Sequence, residues 1–177
     1  MKRLVWLVPA ILLFCFTNAQ AQEVPAWEIA GGYSYLDGNL GGTHFHLHGG
    51  GGSVTENMNS WFGGRAEVNY YHGNDNGAVV SAQTITYGPV FSYRHFSRIT
   101  PFAHVQVGVQ HGSVGYLGIS ASAFKFAAAP GAGIDFQVNR MVSVRVDGEY
   151  LLTGFLGLTQ QNAVGNVSLV FHIGGSK

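Results

Sequence analysis

The stretch "THFHLHGGGG", residues 43–52, places His44, His46 and His48 on alternate positions and then runs into four glycines. Imidazole is the commonest metal ligand among side chains, so metal binding is the first chemistry to weigh. On an extended strand, alternate residues share a face and lie about 6.8 Å apart along it. Two neighbouring imidazoles can reach one zinc at ~2.0–2.1 Å, whereas three span about 13–14 Å. His44, His46 and His48 are therefore candidate ligands only if an adjacent strand adds a carboxylate or another imidazole. Polar packing is the competing reading. A second pair, His111 and Ser113 in "QHGSVG", has the spacing of a base and a nucleophile on one strand face. Catalysis would need a third, orienting group. Val114 follows Ser113 and no carboxylate shares that face, so no catalytic residue is assigned. The remaining chemistry lies in charges of both signs: Glu28, Arg65, Glu67, Arg94, Lys125, Asp135, Arg145, Asp147 and Glu149.

The elements that position these groups follow from bulk composition first. The opening "MKRLVWLVPAILLFCFTNAQAQ" has a basic start, an apolar run and a small-residue cleavage site, the pattern of a secretory signal peptide. Residues 1–21 are expected to leave and 22–177 to form one domain, 177 − 21 = 156 residues. Cys15, the only cysteine, leaves with the leader, so disulfides, thiolate metal sites and thiol catalysis are excluded. Loss of Lys2 and Arg3 leaves seven basic and nine acidic residues. Nucleic acid is not an expected partner, because its binding needs a basic face. Glycine makes up 26 of 177 residues and charged residues only 10%, against about a quarter in ordinary soluble domains. No later apolar run approaches the ~20 residues of a membrane-spanning helix. If the chain enters a membrane, it does so as strands.

Period-two alternation dominates the rest. "AWEIAGGYSY" sets Trp27, Ile29, Tyr33 and Tyr35 against Glu28, Ala30, Gly32 and Ser34. "FGGRAEV" sets Phe62, Gly64, Ala66 and Val68 against Gly63, Arg65 and Glu67. "AHVQVGVQ" sets four apolar residues against His104, Gln106, Gly108 and Gln110. "VSVRVDGEYL" sets Val142, Val144, Val146 and Tyr150 against Ser143, Arg145, Asp147 and Glu149. Similar segments around residues 44–57, 83–94, 124–138 and 166–173 bring the count of candidate strands to eight. Short connections near 58–60, 96–98 and 139–140 alternate with longer ones near 37–42, 73–82, 112–122 and 153–163. Regular hairpins indicate an antiparallel meander, and unequal ends suit a barrel with a periplasmic and an outer side. Pro89 and Pro130 each forfeit a ladder hydrogen bond, which bulges on the outward face can absorb, and a bulge in the glycine run would reconcile the parity of Phe45 and Leu47 with that of Val54.

The apolar faces contain no Asp, Glu, Lys or Arg. A charge on the lipid side would cost roughly 2–4 kcal/mol near the midplane. The expected fold is thus all-β, an eight-stranded antiparallel up-and-down transmembrane barrel with the nine charges paired in its lumen. Trp27, Trp61, Phe62, Tyr70, Tyr93, Phe96, Phe136 and Tyr150 are expected to form aromatic girdles. With Phe45 and Leu47 assigned to lipid, the three histidines would point toward the lumen or its outer rim. A soluble exported barrel of lipocalin or avidin type would instead turn the apolar face inward.

"WEIAGGYSYL", "TYGPVFSYR", "RITPFAHVQVGV", "DFQVNRMVSVRVDGEYLLT" and the closing "NVSLVFHIG" resemble the small eight-stranded outer-membrane barrels of Gram-negative bacteria, the OmpA/OmpX-type superfamily. The resemblance implies location in the outer membrane, contact with its lipids and insertion by the barrel-assembly machinery, which reads a terminal strand ending in an aromatic residue such as Phe171. A monomer without cofactor is expected, with a structural or surface-interaction role and a filled lumen. A narrow pore or transporter, a lipid-modifying barrel enzyme and a soluble periplasmic ligand binder are the alternatives.

Overall fold

The structure, a computed structural model describing residues 24–40, 43–75, 78–116, 119–155 and 158–174, is a closed antiparallel barrel. Its strands are β1 (Trp27–Leu40), β2 (Thr43–Asn57), β3 (Phe62–Asp75), β4 (Ala78–Ser92), β5 (Ile99–Tyr116), β6 (Ile119–Gln137), β7 (Val142–Phe155) and β8 (Leu158–Ile173). Each pairs with its sequence neighbours, and β8 closes on β1. Closure leaves no open sheet edge, the condition for placing strands in hydrocarbon.

The ladders fix the stagger. Trp27 pairs with Glu56, Glu56 with Gly64, and Gly64 with Pro89. Continuing in constant register leads through Val105, Pro130 and Tyr150 to Ala163, whose partner on β1 is Asp37. One circuit advances 37 − 27 = 10 residues. Ten residues at ~3.3 Å over eight strands ~4.8 Å apart tilt the strands by about 40°. Such a barrel is narrow enough for side chains to fill.

Three expectations are corrected. The register of β1 with β2 runs unbroken from Trp27↔Glu56 to Leu40↔Thr43, so the glycine run carries no bulge. Its inward members are small because the neighbouring strand lies close: a Cβ on Gly49 would sit 1.9 Å from the Tyr70 carbonyl oxygen, and one on Gly51 1.6 Å from Asn69 Oδ1. The prolines do not shift register either. The β4–β5 pairs resume at Val90↔His104 after Tyr87↔Val107, and the β6–β7 pairs at Gly131↔Glu149 after Ala128↔Leu152. Each proline forfeits ladder bonds on one side, with no extra residue inserted. The longer connections also shrink, because the strands extend through most of them, up to 18 and 19 residues in β5 and β6.

The turns at the opposite end are held locally. Asn59 Oδ1 accepts hydrogen bonds from the backbone N–H groups of Trp61 and Phe62 at 3.0 and 2.8 Å. Asn139 Oδ1 does the same for Met141 and Val142 at 2.8 and 2.9 Å. An asparagine side chain mimicking a backbone turn is a compact way to reverse the chain.

Candidate functional site: the sealed lumen and the outer rim

Alternation now has a direction. Ile29, Val68, Ile85, Val105, Val107, Val146, Val167, Leu169 and Phe171 are exposed, whereas Glu28, Arg65, Glu67, Asp135, Arg145, Asp147 and Glu149 are buried. A soluble barrel would show the reverse. The exposed apolar wall is the surface a bilayer covers.

The lumen is layered. At the short-turn end, Glu28 accepts from Arg94 Nη2 at 2.8 Å and from Arg145 Nη2 at 2.7 Å. Arg145 also grips Asp135 with Nε and Nη2, at 2.6 and 2.7 Å. Asn57 donates to Glu28 at 2.9 Å, and its own oxygen accepts from Arg94 at 3.0 Å. A buried charge tolerates this environment only when paired and hydrogen-bonded in this manner. The Arg65 and Arg145 guanidinium carbons lie 4.7 and 4.8 Å from the centroid of the Phe102 ring, adding cation–π attraction. Room for Phe102 comes from β6: a Cβ on Gly133 would lie 2.6 Å from Phe102 Cζ and 2.4 Å from Asp147 Cβ.

Of the nine charges expected to pair, Glu28, Arg94, Asp135 and Arg145 are joined in one ion-paired group. Higher in the barrel amides replace cations as partners. Asn69 donates to Glu67 at 2.8 Å and Asn166 to Asp147 at 2.9 Å, while Arg65 donates to Thr55 at 3.3 Å. Glu149 is buried beside them, and Lys125 is half-buried opposite Gln110. A cavity of ≈10 Å³ is bordered by Arg65, Glu67, Arg145, Asp147 and Asn166. That is space for about one water molecule.

Above the amides lies a layer that sequence reasoning missed. Leu36, Leu47, Tyr71, Ala82, Ala127, Ala129, Leu151 and Val164 form one buried apolar cluster inside the barrel, toward the hairpin end. It fills this level of the barrel interior with apolar side chains, a hydrophobic plug in composition. The available signal was the breakdown of alternation: "YSYL", "NYY" and "EYLL" put apolar residues on both faces near the upper strand ends.

Leu47 belongs to this plug, which overturns its assignment to lipid. The orientation expected of the histidines is corrected with it: His46 and His48 are exposed on the outer wall. The expectation failed because it counted parity through a bulge that does not exist. His46 is stacked on Tyr35, whose hydroxyl is 2.8 Å from His46 Nδ1, and His48 Nδ1 is hydrogen-bonded to the Tyr33 hydroxyl. The side chain of His44 lies outside the described residues. Among the described residues no three His, Cys, Asp or Glu side chains converge as a metal centre. His111 packs edge-on against Phe124, and Ser113 Oγ is 2.7 Å from Ser81 Oγ.

Of the aromatic residues, Trp27, Trp61, Phe62, Tyr93, Phe96 and Phe136 cluster toward the short-turn end, with Trp61 stacked near Phe91 and Tyr93 near Phe96. Tyr70 and Tyr150 lie farther up the wall with Tyr33, below Asp37, His46, His48 and His72.

Residues 7–171 match the family described as outer membrane protein beta-barrel domain. The chain belongs to this family of outer-membrane barrels. Its location is accordingly the outer membrane of a Gram-negative envelope, with the short turns periplasmic. Among solved structures, Neisserial surface protein A superposes with a TM-score of 0.70 at 10% identity, covering 84% of this chain and 96% of that one. Ail, the attachment invasion locus protein of Yersinia pestis, gives 0.63 at 16% identity, covering 82% and 96%. OprG from Pseudomonas aeruginosa gives 0.58 at 11% identity, covering 89% and 100%. At these identities the likeness is one of fold. Comparison with curated protein sequences returns no match. Residues 1–21, assigned to a signal peptide, lie outside the described residues.

Proposed function

We propose that this outer-membrane barrel is a sealed, non-catalytic element of the envelope with a structural or surface-interaction role. The observation that carries the reading is the packing of the lumen in two layers, ion-paired at the periplasmic end and apolar at the outer end. An ion entering from outside would first have to displace the packed side chains of Leu36, Leu47, Tyr71 and Leu151, each at most 2% exposed. Outer-membrane lipids are the assigned partners along the wall, with the barrel-assembly machinery during insertion and a monomer as the working unit. The wall supports this, because its exposed Val, Ile, Leu and aromatic side chains are suited to acyl chains on every strand.

Planar-bilayer recording of the purified barrel tests the closure. The wild type is expected to give no stable unit conductance, and the Leu36→Ala/Leu47→Ala/Leu151→Ala variant to leak. Steady unit currents from the wild type would establish the narrow-pore alternative instead. Unchanged lipid A composition in cells expressing the chain or its His111→Ala variant is expected; a lost acyl chain that depends on His111 would overturn the non-catalytic assignment.

A further inference from the structure

The β2–β3 ladder ends at the pair His48↔His72, although both strands run on toward the outer end. Above that pair β2 stays with β1 as far as Leu40↔Thr43, and β3 stays with β4 as far as Asp75↔Ala78. The ladder pairs stop there, although Gly73 on β3 still lies against His46 and Leu47 of β2. His48 and His72 are the last pair of the ladder, both exposed on the outer wall. His46 is two residues from His48 on the same face, with Asp37 as its partner on β1. Facing cross-strand Cβ atoms lie ~4.5–5.5 Å apart and diagonal neighbours ~7–8 Å. Three histidines on two strands thus share one outward patch, more closely set than three along one strand.

Their supporting contacts favour ligation. His46 Nδ1 is 2.8 Å from the Tyr35 hydroxyl and 3.4 Å from Asp37 Oδ1, and His48 Nδ1 is bonded to the Tyr33 hydroxyl. A metal-bound imidazole ordinarily holds its second nitrogen on a carboxylate or other polar oxygen, which orients the ring and presents the free nitrogen to the metal. In both rings Nε2 is the nitrogen left for that task.

We propose that His46, His48 and His72 bind a divalent transition metal, zinc or copper, which clasps β2 to β3 where their ladder ends, with Asp37, Tyr33 and Tyr35 orienting the rings. The three donors do not converge in the structure. All three are exposed on the outward face. The site faces outward above the Tyr33 and Tyr70 level, where aqueous ions reach it, and its occupancy is independent of whether the lumen conducts.

Isothermal titration of the refolded full-length mature barrel in detergent with zinc chloride, then copper chloride, tests the assignment. One equivalent is expected. His48→Ala and His72→Ala should each weaken binding at least tenfold, while His95→Ala, at an exposed position near the periplasmic turns, should leave it unchanged. Heat-dependent gel migration verifies that each variant is folded, and it supplies a second readout: zinc should raise the unfolding temperature of the wild type but not of His72→Ala. His72→Gln repeats the measurement with a side chain that preserves polarity. Absence of a binding isotherm overturns the proposal. So does binding that survives His72→Ala but is lost in His44→Ala, which would place the metal along β2 alone.

Discussion

Replacing Glu28 by alanine is the most direct test of the periplasmic half of the lumen. Glu28 is 3% exposed and is the carboxylate shared by Arg94 and Arg145, at 2.8 and 2.7 Å. Its loss leaves two guanidinium groups short of a partner and removes an acceptor from Asn57. Breaking a buried ion pair by deleting one member costs about 3–5 kcal/mol, mostly from the charge left behind. Arg145 retains its double bond to Asp135, and Arg94 retains Ser60 and Asn57, so the lower end of that range applies. A loss of about 3 kcal/mol lowers the folding equilibrium constant roughly 150-fold. The assay is reversible urea unfolding in lipid vesicles, followed by the fluorescence of Trp27 and Trp61, which lie on the outer surface at this end. A double-mutant cycle with Glu28→Gln and Arg94→Gln should show a coupling of at least about 1 kcal/mol. A Glu28→Ala loss below about 1 kcal/mol, with an additive cycle, would show that water already solvates these groups and would refute the buried-network reasoning.

Two further outcomes follow from the wall and its glycines. Val167 is the central outward residue between Ile173 and Gln161 on β8, so Val167→Lys should destabilise the barrel in vesicles by about 2–4 kcal/mol, while Gln161→Lys at the rim should cost about 0–1 kcal/mol; equal effects at the two positions in the urea assay would contradict the placement of the bilayer. Gly133→Ala, whose new Cβ meets Asp147 and Phe102, should destabilise by about 1–3 kcal/mol through overpacking, whereas Gly165, with nothing within 4 Å, should accept alanine with little change in the same measurement.

Much of the fold was legible because a strand has a period of two and a bilayer penalises charge. Those two facts sorted Val105, Val107, Val146 and Phe171 from Arg65, Asp135 and Asp147 without coordinates, and the short Asn-containing turns marked the hairpins. They failed where alternation lapsed. Around residues 45–54 the glycines carry no side chain to mark a face, and parity counted inward from Leu47 conflicted with parity counted from Val54. The register between β1 and β2 resolved it: Leu47 pairs with Leu36 inside the plug, and His46 and His48 turn outward.

The sequence by itself determined an exported, strand-built wall, apolar on one side and polar on the other, because both properties are written in the spacing of neighbours along the chain. Which inward groups meet was decided only by the tertiary structure. Glu28 and Arg145 are 117 positions apart, as are Leu36 and Leu47 from Leu151 by comparable distances along the chain, and each meeting depends on the stagger at which eight strands close. The same stagger brings His72 beside His48. Local alternation is blind to it, since a barrel's closure is a property of all its ladders together.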